Sequence, residues 1–118
     1  MKNGEYIYYY ESGVIESTMN YVDGKLNGEC ISYYESGEIY SKRNYLDDKK
    51  HGESIDYYDN GVIYSKINFI GGKRNGECIS YYDCGEIEYT YYYKNDKVVS
   101  ELDWISYNRN LKFELLGL

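Results

Sequence analysis

A chain of 118 residues fits a single domain, and a formal net charge of −7, from 20 acidic against 13 basic residues, sets it against phosphate backbones and anionic lipid headgroups. Its apolar runs all fall short of the roughly 18 residues of a membrane span, and Met1-Lys2-Asn3 leads straight into Gly4-Glu5 without a leader's apolar segment, so a cytoplasmic location is expected. The three cysteines, Cys30, Cys78 and Cys84, have the spacing of neither a zinc site nor a redox pair and are read as free thiols, and no cofactor is expected.

Gly-Glu dipeptides open at Gly4, Gly28, Gly52 and Gly76, each 24 residues after the last. A fixed period of this size marks a repeat array. The repeats run over residues 4–27, 28–51, 52–75 and 76–99, and a tail covers 100–118. Each repeat opens with a short β-prone run: Tyr6–Tyr10, Cys30–Tyr34, Ser54–Tyr58 and Cys78–Tyr82. Ile7, Ile31, Ile55 and Ile79 alternate at period two with Tyr9, Tyr33, Tyr57 and Tyr81. That spacing places both rows on one side of a strand, the side expected to be buried.

Next come Glu11-Ser12-Gly13, Glu35-Ser36-Gly37, Asp59-Asn60-Gly61 and Asp83-Cys84-Gly85. A three-residue loop ending in glycine predicts a type I turn with a G1 bulge, and so a β-hairpin in which Tyr33 faces Ile39. The second strand runs on to Tyr21, Tyr45, Phe69 or Tyr93. Plain alternation would put Ile39, Ser41, Arg43 and Tyr45 on one face and Tyr40, Lys42 and Asn44 on the other. A looser turn through Asp23-Gly24, Asp47-Asp48, Gly71-Gly72 or Asn95-Asp96 is expected to lead into the next unit. The fourth unit has Ser100 where a glycine would open a fifth, so the array is expected to stop there.

The pattern Gly-Glu-x-x-x-Tyr-Tyr-x-x-Gly-x-Ile, followed by Asn-Tyr or Asn-Phe and a Gly-Lys-x-Asn-Gly turn, resembles the MORN repeat, in its second variant, from Gly4 to Val99. Asp48 for the turn glycine, His51 for Asn, and Tyr92 for the asparagine of Asn20, Asn44 and Asn68 are departures from it. The resemblance implies an all-β fold: four to five antiparallel hairpins forming one elongated twisted sheet, without helices between them. The apolar tail, with Leu102, Trp104, Ile105, Leu111 and Phe113, is expected to cap the last hairpin or to form a fifth. At the other end, the edge at Glu5–Tyr10 has no cap and could pair with a second copy.

Chemistry finds little to stand on. His51 is the one histidine and occupies a turn phase, so no catalytic triad can be built, and neither a calcium loop nor a phosphate-cradling glycine loop occurs. A non-enzymatic protein-binding module is expected instead. Its candidate surface is the stripe Tyr34, Tyr58 and Tyr82 with the tip carboxylates Glu35, Asp59 and Asp83, pointing away from the Ile/Tyr face. A second acidic row, Glu5, Glu29, Glu53, Glu77 and Glu101, is expected to edge the same stripe, and the bland alternative is that the tyrosines only shield the sheet. Many small bacterial proteins with this repeat variant are labelled antitoxins, so the resemblance implies an antitoxin or immunity protein that occludes a basic toxin, the product of a neighbouring gene. A scaffold, an adhesin and a membrane-associated repeat protein are the alternatives; nucleic acid is not expected as a partner, and membrane is disfavoured by charge.

Overall fold

The structure, a computed structural model, describes residues 1–116, with side chains through Arg109. The first repeat supplies β1 (Gly4–Tyr9), β2 (Ile15–Val22) and β3 (Lys25–Leu26), and the second supplies β4 (Gly28–Tyr33), β5 (Ile39–Leu46) and β6 (Lys49–Lys50). Then come β7 (Gly52–Tyr57), β8 (Ile63–Ile70), β9 (Lys73–Tyr81), β10 (Ile87–Lys94), β11 (Lys97–Val99) and one helix, α1 (Glu101–Leu116). All eleven strands belong to one open antiparallel sheet in which each hairpin lies beside the next. The sheet is extended, with a radius of gyration of 17.1 Å, where a compact chain of this length would have about 13–14 Å.

Two kinds of turn drive the array. At each tip, as at Tyr10–Val14, the Gly13 amide donates to the Tyr10 carbonyl at 2.9 Å with Gly13 at φ +91°, the expected type I turn and G1 bulge. The connection between repeats is tighter than expected. Asp47 and Asp48 both have positive φ, +48° and +69°, so the strands are joined by a two-residue turn of type I′ geometry. Asp48, standing where the first and third repeats have glycine, offsets its left-handed backbone by accepting a hydrogen bond from the Leu26 amide at 2.8 Å.

A β-bulge reorders the faces. Tyr33 pairs with Ile39 as expected, but Ser32 pairs with Ser41, so Tyr40 is the extra residue. One step along β4 matches two along β5, and the alternation inverts there. Ile39 therefore shares the face of Ile31, Lys42 and Asn44, whereas Ser41, Arg43 and Tyr45 lie on the opposite face, correcting the reading by plain alternation. The same shift recurs opposite Tyr8, Asp56 and Ser80.

Burial also departs from expectation. Among the described residues the buried side chains are Ser17, Ser41, Ser54, Ser65 and Cys30, all on the face opposite Ile31, Ile55 and Ile79, while Ile7 is 41% exposed and Ile87 57%. Over most of its length the Ile/Tyr face has no second layer, and Ile31, Ile55 and Ile79 are only half-buried. On the other face, large tyrosines fold over short serines and bury them. This serine-floored surface is called the tyrosine face below.

Over the described residues the tail is a helix, not a fifth hairpin. Ser100 caps it, its Oγ accepting from the Asp103 amide at 3.1 Å, and Glu101 and Asp103 place negative charge in the first turn. Trp104 stacks on Tyr92, with ring centroids 6.1 Å apart, and the Lys94 Nζ lies 4.3 Å from the Tyr107 centroid. The helix thus lies on the isoleucine face at the end of the array. Tyr92, a departure from the repeat, is the platform it docks on.

Candidate protein-binding face

Repetition sets each tyrosine one unit behind the carbonyl it needs. The Tyr34 Oη donates to the Tyr57 carbonyl and the Tyr58 Oη to the Tyr81 carbonyl, both at 2.7 Å, and Tyr10 makes the equivalent bond to Tyr33. Each ring crosses the junction between hairpins and staples one unit to the next. Burial holds the Tyr34 phenol above its ordinary pKa, with Asp59, Tyr40 and Asp56 adding to the shift. Burial does the same for Tyr58, helped by Tyr64, Asp83, Glu88 and Cys84. Tyr82, the last of the stripe, is 49% exposed, and among the described residues its hydroxyl has no hydrogen-bond partner.

Tyr34 and Tyr58 are also walls. Tyr34 meets Tyr40 edge-on at 5.1 Å, and Tyr58 meets Tyr64 in the same way at 5.0 Å. Between these pairs opens a groove of about 540 Å³, lined also by Arg43, Asp56 and Asp59. A second groove, of about 410 Å³, lies one repeat earlier between Tyr10 and the Tyr34/Tyr40 pair, with Glu16 at its side and Ser17 and Ser32 among its lining residues. On the floor of the first, the Arg43 Nη2 contacts the Asp56 Oδ1 at 2.6 Å, and the Ser65 Oγ donates to the Asp56 Oδ2 at 3.3 Å. The guanidinium is thus already neutralised by a carboxylate of the next repeat.

Of the candidate residues, Tyr34, Tyr58 and Asp59 line the first groove; Glu35, Tyr82 and Asp83 do not line either groove. The second acidic row is misplaced by the sequence reading: Glu29 and Glu53 pair with Asn44 and Asn68, on the isoleucine face. Tyr40, Tyr64, Arg43 and Asp56 were missed. Alternation already set Tyr40 on the face away from Ile39, and what was missed is that it and Tyr64 wall the stripe; Arg43 and Asp56 carry a signal, because each breaks its own phase: Met19, Ile67 and Tyr91 match the first, Tyr8, Ser32 and Ser80 the second.

His51 sits in the turn phase, its Nδ1 accepting from the Gly71 amide at 3.2 Å, as the Asn75 Oδ1 accepts from the Asn95 amide at 3.0 Å. It does an asparagine's task. Among the described residues, no three His, Cys, Asp or Glu side chains converge as a metal-binding group. The cysteines are unpaired, with Cys30 buried and Cys84 exposed.

A family model described as MORN repeat variant matches residues 2–23, 26–47, 50–70 and 74–95, one stretch for each hairpin unit. The chain belongs to the MORN repeat variant family. The MORN repeat points to a protein-binding or membrane-associated module, and its family is generally not enzymatic. No curated protein matches the chain significantly. Among the described residues, no helix of this MORN protein is long and apolar enough to cross a membrane.

Proposed function

We propose that the protein is a non-enzymatic protein-binding module whose tyrosine face engages a basic protein, the product of an adjacent gene and most simply a toxin that it occludes. One observation carries the reading: two successive tyrosine-walled grooves lie on one face, with Asp59 and Glu16 in their lining. Aromatic side chains are favoured at binding hot spots because they supply a large area at small entropic cost. A net charge of −7 adds long-range attraction for a basic partner and repels anionic membranes.

The experiment is a titration of the purified protein with the product of the neighbouring gene. Tyr40→Ala and Tyr64→Ala are the informative variants, because these rings are 51% and 52% exposed and, among the described residues, their hydroxyls staple no junction. Each is expected to weaken binding by more than tenfold, mainly through faster dissociation, while Asp59→Lys slows association and flattens its dependence on salt. Folded variants that bind as tightly as the parent would leave the tyrosine face as a mere shield.

A further inference from the structure

The two grooves are one repeat apart, and that distance selects a ligand conformation. Each repeat step crosses two strands, so successive grooves recur about every 9.4–9.8 Å along the array. A polyproline II helix rises about 3.1 Å per residue with three residues per turn, so its residues i and i+3 lie on one side about 9.3 Å apart. An extended β-strand returns a side chain to the same side after about 6.7 Å. An α-helix does so at i+3, i+4 and i+7, near 4.5, 6 and 10.5 Å. Only the first matches one groove per turn.

The lining fits the same ligand. Tyr34, Tyr40, Tyr58 and Tyr64 present ring faces and edges, the surface that Pro-rich segments dock on. A polyproline II backbone makes no internal hydrogen bonds, and the Tyr40 and Tyr64 hydroxyls, free among the described residues, can donate to its carbonyls. Asp59 beside the first groove and Glu16 beside the second, at different phases of the repeat, each offer a carboxylate to a cation, whereas Arg43 is already paired with Asp56. We infer that the tyrosine face binds a basic, proline-rich segment in the polyproline II conformation, one turn per repeat, with an arginine or lysine near each groove. The inference rests on the protein-binding reading above and narrows it to a ligand class. Sheet twist turns successive grooves about the array axis, so the match extends over two or three repeats only.

The test uses the full chain and three synthetic peptides, each with four arginines: Arg-Pro-Pro repeated four times, Arg-Pro-Pro-Pro repeated four times, and an alanine-rich helical peptide. Charge is the same in all three, and conformation is the same in the first two. The first peptide is expected to bind at least tenfold more tightly than either of the others, and a Tyr40→Ala, Tyr64→Ala double variant should lose that preference. Equal affinity for the period-three and period-four peptides, or for the helical one, overturns the inference without recourse to any variant. If the peptides show no preference while the adjacent gene product still binds in a Tyr64-dependent way, only the ligand class is wrong. If neither peptide nor protein binds, both readings fall.

Discussion

Tyr34 and Tyr58 show how a single hydroxyl is used in an array. Each phenol donates to a carbonyl of the following repeat, so Tyr34→Phe or Tyr58→Phe removes one inter-repeat bond and leaves a carbonyl short of a partner, a loss of about 1 kcal/mol. Tyr82→Phe should leave stability unchanged, and urea unfolding of the three variants makes the comparison. The same phenols predict a pH response. Their folded pKa values are raised above the ordinary tyrosine value, first by burial. The folded state therefore keeps protons that the unfolded chain releases, so stability is full below about pH 10 and falls as pH rises through the folded values. Urea melts between about pH 8 and 11 should decline less steeply in a Tyr34→Phe, Tyr58→Phe double variant; an unchanged slope would mean the two phenols do not contribute. His51→Asn should be neutral, since asparagine at this phase makes the equivalent turn bond, whereas His51→Ala loses it, again about 1 kcal/mol.

At the scale of the element, β-bulges and α1 decide what each face shows. The bulge at Tyr40 moves Arg43 onto the tyrosine face, where Asp56 meets it. The helix rests on Trp104 against Tyr92, a half-buried pair. Trp104→Ala should cost roughly half of the 3–5 kcal/mol seen for fully buried aromatics, and with it most of the helix, because an isolated helix of this length is marginal in water. Circular dichroism is expected to lose its helical component and keep the β signal. Loss of both would show that the helix is required for the array itself.

For the whole molecule, stability is distributed along the array, since each hairpin touches only its neighbours. Ile55→Ala, in a central repeat, should destabilise by about 1–2 kcal/mol, less than for a closed core because the side chain is only half-buried. Ile7→Ala, at the outer strand and more exposed, should cost well under 1 kcal/mol. Equal costs from urea melts would contradict the one-dimensional picture. Small-angle scattering checks the shape, with an expected radius of gyration near 17.1 Å.

While the one open sheet was legible through the family resemblance, the glycine and tyrosine spacing alone determines the repeat, the hairpin, its tip turn and the Tyr33–Ile39 pairing, because each rests on bonds between residues close in the chain. It also places Tyr34, Tyr58 and Tyr82 opposite the isoleucines. Ser100 with Asp103 three residues later reads as a helix cap, a local signal that was available in the sequence. Which face is buried, which side Arg43 and Lys42 occupy, and where the second acidic row lies were decided only in the tertiary structure. The bulge is a one-residue slip against a partner strand, and burial in a one-layer sheet depends on which large side chains fold over small ones, not on hydropathy alternation. The Tyr34 and Tyr58 staples follow the same logic, because their acceptors belong to the next repeat and come within reach only when hairpins stand side by side.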